Sequence, residues 1–207
     1  MAFAFARAGT AAVLITQYYE GTSSNKWIEL TNLGAATVDL STYTLSLFSN
    51  ANAEGYKTGA SASSTTALSG SLASGATVLY RNSASVLPAY AAGTAAGSVN
   101  FNGNDSMVLF NSGTIEDAIG FTNGGNEGQD KSFIRNSSAA GFDLVADSNV
   151  TSFPSVWTEV SLAAVENAAT GTNERLGATT LVPVPEPSAM ILAGLSISAI
   201  LLLRRRR

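Results

Sequence analysis

Few side chains in this chain are equipped for catalysis. It has no Cys and no His. That removes thiolate chemistry, zinc sites built from sulfur or imidazole, and nucleophile activation by a Ser-His-Asp or Cys-His arrangement. Carboxylates, Lys, Tyr and Ser remain. Two polar loops set carboxylates among amides: Asn100–Asp105 (NFNGND) ends in Asp105, and Asn123–Asp130 (NGGNEGQD) holds Glu127 and Asp130. Asp105, Glu127 and Asp130 are the candidate ligands for a hard cation such as Ca²⁺, which takes six to eight oxygens, several of them charged. Neither loop has the density of a DxDxDG calcium loop, so both read as turns and no metal or cofactor is assigned.

Glu116 and Asp117 are adjacent in a strand-like run, so they point to opposite faces and cannot act together. Glu20 and Glu29 could approach across a hairpin. Paired-carboxylate glycoside hydrolysis, however, needs two acids roughly 5–10 Å apart in a cleft, and no cleft is implied. Tyr18, Tyr56 and Tyr90 are read as exposed aromatics that either stack on sugars or pack hairpin rims. No catalytic residue is assigned. The alternative is a carboxylate-dependent hydrolase of phosphodiesters or polysaccharide.

The elements that must carry these residues read as strands. Apolar residues make up 45% of the 207 residues and charged residues only 13%, enough for one core under a neutral, hydroxyl-rich surface. Runs rich in β-branched and aromatic residues alternate with Gly/Asn/Ser turns: Val13–Tyr19, Lys26–Asn32, Thr37–Leu40, Tyr43–Phe48, Thr66–Leu72, Ala76–Asn82, Ser98–Phe101, Ser106–Asn111, Thr114–Phe121, Lys131–Arg135 and Ser155–Val160. Leu176–Val182 is a last strand or the start of a linker. Ser49–Ser64 reads as a long loop, and Val86–Tyr90 as one short helical turn broken by Pro88. Glu29 lies opposite Ile28 and Leu30, facing solvent or a neighbouring strand. Gly21, Gly70, Gly103 and Gly113 are assigned positive φ. This spacing predicts an all-β, antiparallel sandwich or barrel.

Charge divides the chain in two. Up to Pro183 there are 7 basic against 14 acidic residues, a net charge of −7. Without a basic stripe, that body is no partner for nucleic acid. The tail differs. Pro185-Glu186-Pro187 precedes the uncharged apolar stretch 188–203, and Arg204, Arg205, Arg206 and Arg207 follow it. As a helix that stretch spans about 24 Å, slightly short of a bilayer core of about 30 Å, and Arg snorkelling closes the gap. The positive-inside rule puts the Arg cluster in the cytoplasm and the body across the membrane. Export needs a leader, and residues 1–11, with A-x-A spacings around Arg7, read as the remnant of a signal peptide or a lead-in. The organisation is therefore a lead-in at 1–11, a sandwich at 12–160, a linker at 161–184 and a sorting tail at 185–207.

The tail, with its Pro-Glu-Pro, apolar helix and Arg cluster in that order, resembles the PEP-CTERM sorting signal of Gram-negative bacteria. The resemblance implies recognition by an exosortase-type membrane enzyme, removal of the apolar tail and delivery of the body to the cell surface or extracellular matrix. A second resemblance is carried by the body. Tyr19-Glu20-Gly21, Asn25-Lys26 before Ile28-Glu29-Leu30, Asn32, Val38-Asp39-Leu40-Ser41 and Leu68-Ser69-Gly70-Ser71-Leu72 resemble a lamin-tail domain. So do Asn100–Asp105 before Met107-Val108-Leu109 and the hairpin into Ile115–Gly120. That family implies an immunoglobulin-like β-sandwich. Departures fall in the Ser/Ala loop 55–66 and the Ala-rich stretch 89–96. Together the two resemblances imply a non-catalytic exported protein that works by adhesion or by binding polysaccharide or protein. A permanently anchored scaffold is a further alternative.

Overall fold

The computed structural model describes residues 13–86, 93–120, 126–135, 157–166 and 176. Its strands are β1 (Val13–Glu20), β2 (Lys26–Asn32), β3 (Val38–Asp39), β4 (Tyr43–Phe48), β5 (Ser64–Ala67), β6 (Ser71–Leu72), β7 (Thr77–Arg81), β8 (Thr94–Ala95), β9 (Ser106–Asn111), β10 (Thr114–Ile119), β11 (Lys131–Arg135) and β12 (Trp157–Val160). A five-residue helix α1 (Leu162–Glu166) follows. A six-stranded sheet in the order β12-β11-β1-β2-β7-β8 faces a four-stranded sheet in the order β10-β9-β4-β5, and β3 pairs with β6 at the side. Pairing is antiparallel except for the short parallel contact of β8 with β7, which the Ala-rich sequence around it does not announce. The fold is an all-β, immunoglobulin-like sandwich.

Alternation decides which residues meet between the sheets. Ile28 and Leu30 of β2, Tyr43, Leu45 and Leu47 of β4, and Met107 and Leu109 of β9 share one buried core with Tyr18, Val99 and Phe101. Each large aliphatic side chain buried there contributes about 1.5–3 kcal/mol relative to exposure. Trp27, opposite in phase, packs outside the six-stranded sheet with Tyr19, Leu79, Val165 and Leu176. The stretch read as linker thus begins as helix α1 lying against the sheet. Phe48, likewise out of phase with its neighbours, meets Tyr56 edge-on, ring centroids 5.6 Å apart.

Two bulges interrupt the alternation. Thr16 is the extra residue of β1 against β2, between Ile15 and Gln17. Glu116 is the extra residue of β10 against β9, between Ile115 and Asp117. Each bulge switches which face the following residues occupy. Val13 and Ile15 can thereby share the core with Tyr18, while Ile115 and Ala118 both face outward and Ile119 stays inside. Asp117 lands between the sheets, 1% exposed, against Arg135 at 2%.

Several expectations are corrected. Ser98–Phe101 is a turn, not a strand: Val99 N donates to Ala96 O and Asn100 N to Ser98 O. Those local bonds, with Ser98 N and Oγ on Thr66 Oγ1, take up groups that a ladder would need. The run Thr66–Leu72 divides into β5 and β6, turned by Gly70 at φ +88°. The loop Ser49–Ser64 contains 3₁₀ turns at Asn50–Asn52 and Gly55–Thr58. For Glu29, expected to face solvent or a neighbouring strand, the neighbouring strand β1 is the outcome. Glu29 is 1% exposed, and Thr16 Oγ1 donates to its Oε1 at 2.5 Å while sharing a bond with Thr31 Oγ1 at 2.8 Å.

Gly70 and Gly113 do adopt positive φ, and Ser112-Gly113, at +49° and +80°, makes the two-residue hairpin turn of β9–β10. Gly21 and Gly103 do not require it. They are small because a neighbour is close: a Cβ on Gly21 would lie 2.6 Å from Tyr19 Oη, and one on Gly103 would run into the backbone of Gln129. The helical turn at Val86–Tyr90, the lead-in at 1–11 and the strand Leu176–Val182 lie outside the described residues apart from Val86 and Leu176.

Candidate functional site

One end of the sandwich gathers the polar loops. β1 delivers Glu20 there, the turn after β4 brings Asn50, the loop before β9 brings Asn102, Gly103 and Asn104, and the loop before β11 brings Asn126 and Gln129. Together they line a polar cleft of about 290 Å³.

Buried carboxylates hold these loops in place. Asp105, 2% exposed, accepts Asn50 N on Oδ1 at 2.7 Å and Asn102 N on Oδ2 at 2.6 Å. Burial pushes its pKa up, against the opposing pull of those two N–H groups and of Lys26. Glu20, 5% exposed, accepts Lys26 Nζ on Oε1 at 2.7 Å and Asp130 N on Oε2 at 2.9 Å. Gly128 N donates to Gly103 O at 2.9 Å, so the two amide-rich loops are bonded to each other. Beneath them Tyr18 stacks on Phe101 with centroids 4.6 Å apart, and Lys26 Nζ sits 5.8 Å from the Phe101 ring centroid. Burial first, then the charges of Glu20 and Asp105, hold the Tyr18 phenol well above its usual pKa.

The three candidate cation ligands are placed unequally. Asp105 is buried with both oxygens engaged by backbone. Asp130 is exposed, with φ +52°, and meets Glu20 through its own N–H. Glu127 is half-buried, with Oε2 lacking a partner among the described residues. Among the described residues no group of three or more carboxylates is placed to hold a metal ion. Glu20 lies opposite Lys26 and Glu29 opposite Gln17, so the two glutamates are three strand positions apart, about 10 Å along the strand. They are further separated by environment, Glu20 at the cleft and Glu29 beside Thr16.

Tyr18 and Tyr56 are not exposed platforms: they are 1% and 6% exposed, and both serve packing. Tyr90 lies outside the described residues. The residues that sequence reasoning missed are the amides themselves, Asn50, Asn102, Asn104, Asn126 and Gln129. Each reads as turn chemistry alone, and only the convergence of three loops makes them a surface.

Pro185, Glu186, Pro187, the apolar stretch 188–203 and Arg204 to Arg207 also lie outside the described residues. Among the described residues no helix is long and apolar enough to cross a membrane.

The body and tail define a class: a β-sandwich module followed by a routing segment. Residues 6–123, more than half of the chain, match the family model for the Lamin Tail Domain, and the chain belongs to that family. Residues 183–207 match the PEP-CTERM protein-sorting motif, the kind of tail that directs export and processing at the cell envelope by an exosortase-type enzyme. Both modules are of non-catalytic kinds. Strands β11 and β12 lie beyond the matched span yet complete the six-stranded sheet. No curated protein matches this chain.

Proposed function

We propose that this chain is a non-catalytic surface or extracellular-matrix protein of a Gram-negative bacterium. In this reading the tail is removed by the processing enzyme, and the body works by adhesion or by binding a polymer or protein, with no resident metal or cofactor. The observation that carries the reading is the sorting motif at 183–207 joined to a lamin-tail sandwich. The state of the acids supports the non-catalytic part. Among the described residues the four buried carboxylates all serve structure: Glu20 on Lys26, Glu29 on Thr16, Asp105 on two backbone N–H groups and Asp117 on Arg135.

The test is cell fractionation with mass spectrometry of the protein from each fraction. The mature form is expected outside the inner membrane, with a mass lacking the apolar stretch and the Arg cluster. A full-length chain in the cytosol would overturn the reading. A full-length chain held in the membrane would instead make it a permanent anchor.

A further inference from the structure

We infer that the amide-lined cleft at the loop end of the sandwich is a binding site for an uncharged, hydroxyl-rich ligand, a neutral saccharide chain. This rests on the reading of the body as a surface-exposed binding module and gives that module a site and a ligand class.

The lining chemistry selects the ligand. Five of its seven residues are carboxamides and one is Glu20. A carboxamide presents a donor and an acceptor side by side, whichever way it is turned, and vicinal hydroxyls present the complementary pair. Some of this capacity is spent within the wall: Asn104 Nδ2 donates to Asn50 Oδ1 at 3.3 Å, and Asn126 Nδ2 donates to Gln129 Oε1. The Asn102 side-chain carboxamide, Asn50 Nδ2, Asn104 Oδ1, Asn126 Oδ1 and Gln129 Nε2 have no protein partner among the described residues. They therefore offer both donors and acceptors to a guest.

Charge excludes the other ligand classes. Among the described residues no cation lines the cleft, so a phosphate or sulfate would find nothing there to neutralise it. Lys26 is nearby but already bound to Glu20. Among the described residues Glu20 is the one carboxylate of the lining, and both its oxygens are engaged, which leaves too little negative charge for a calcium ion. The cleft volume stands at the lower end of the range for small-molecule sites, roughly 300 Å³ and upward. That admits one or two sugar units edge-on. Among the described residues no aromatic ring lines the cleft, so hydrogen bonds supply the recognition, and one site is weak. Many copies on a surface would make it effective through avidity.

The site is also held ready. Asp105 fixes the backbones of Asn50 and Asn102 from behind. Gly103 permits the 102–104 and 126–129 loops to touch where a Cβ would block them. Preorganisation of this kind lowers the ordering cost of binding.

The test uses the full chain in detergent on an array of neutral gluco-, manno- and galacto-oligosaccharides, followed by titration calorimetry with the best of them. Binding is expected. Asn102→Ala and Gln129→Ala are each expected to weaken it about five- to ten-fold. The isosteric Asn102→Asp, which trades a donor for a charge, is expected to weaken it with an unchanged unfolding midpoint. Asn111→Ala, at the opposite hairpin, should leave binding intact. Three results would overturn the inference: no neutral oligosaccharide bound by the folded chain, binding indifferent to Asn102 and Gln129 variants, or binding abolished by a calcium chelator. Fractionation of the same cells keeps the two readings apart. A chain that binds sugar but stays in the cytosol removes the surface role and leaves the site. A surface chain that binds none does the reverse.

Discussion

Asp117 of β10 and Arg135 of β11 form a buried ion pair across the sandwich, with Arg135 Nη2 2.5 Å from Asp117 Oδ2, and they hold the backbone of Ile15 between them. Ile15 N donates to Asp117 Oδ2 at 2.8 Å, and Arg135 Nε donates to Ile15 O at 2.7 Å. β11 pairs with β1 only from Gln17 to Glu20. The pair therefore takes over the backbone groups of β1 where the ladder stops, beside the Thr16 bulge. Arg135 is covered in turn by Trp157, 4.7 Å from the guanidinium carbon to the ring centroid.

Removing one partner should cost more than removing both. Arg135→Met leaves a buried carboxylate uncompensated, a loss of about 3–5 kcal/mol. The pH dependence carries the sign. Burial already raises the Asp117 pKa despite Arg135, so below that pKa the folded chain holds a proton that the unfolded chain has released. This contribution to stability grows as pH falls toward the unfolded value of about 3.9. Without Arg135 the pKa rises further, and much of the loss at pH 7 should be recovered at pH 5. Urea unfolding followed by Trp fluorescence, for Arg135→Met, Asp117→Asn and the double variant, measures this. An Arg135→Met deficit equal at both pH values would show that Asp117 is not the source.

The tyrosines predict an alkaline limit. Burial, aided by Glu116, pushes Tyr43 up to about 12, and burial raises Tyr80 and Tyr18 as well. A folded-state pKa above the unfolded value of about 10 means the unfolded chain loses its proton first, so stability falls as pH rises from about 10 to 12. Phenolate absorbance should show part of the six tyrosines titrating late, together with loss of fold. Tyr43→Phe should lessen the fall in stability over that range. An unchanged alkaline limb in that variant would contradict the assignment.

What was legible in the sequence follows physical rules. Period-2 alternation of Ile28, Leu30, Tyr43, Leu45 and Leu47 marked the inner face because each of these apolar or aromatic residues alternated with a polar or outward one. The tail was readable because its three elements are contiguous. Thr16 and Glu116 were not readable as bulges, since a bulge depends on the partner strand's register and leaves no local pattern. Hence the sequence leaves open which of Glu116 and Asp117 turns inward, and whether Glu29 meets solvent or a neighbouring strand. Tyr18 and Tyr56 read as surface residues in the sequence, but Tyr18 is buried by Phe101, far along the chain, and Tyr56 by Phe48 across the loop that follows β4. Asn102 and Gln129 were legible as turn residues and illegible as one surface, because their meeting depends on three loops closing at one end.

Gly103 and Gly97 make a matched comparison. An added methyl at Gly103 would meet the Gln129 backbone, whereas nothing lies within 4 Å of a Cβ on Gly97. Backbone cannot step aside as a side chain can, so Gly103→Ala should destabilise by about 1–3 kcal/mol and pry the 102–104 loop from the 126–129 loop. Gly97→Ala should be near neutral. Thermal unfolding with amide exchange at Gly128, whose N–H bonds to Gly103 O, tests both. Equal midpoints for the two variants would count against a close-approach role for Gly103.

The tail can be dissected into address and orientation. Pro185, Glu186 and Pro187 lie at least nine residues beyond Leu176, the last described residue buried against the sheet. Substituting them by Ala should therefore leave the body's unfolding midpoint untouched. If the motif is the recognition element, the triple variant should be exported, retained in the membrane and uncut, its mass still including the apolar stretch. The Arg cluster acts differently. If the positive-inside rule sets the orientation, exchanging Arg204 to Arg207 for Ser removes the charge that would keep the carboxyl end on the cytoplasmic side, so the terminus should become accessible to protease from outside and release should fall for want of correct insertion. Mass spectrometry and protease protection on intact cells separate the two defects. A triple-Ala tail processed at the normal rate would move recognition away from Pro-Glu-Pro and onto the apolar stretch alone.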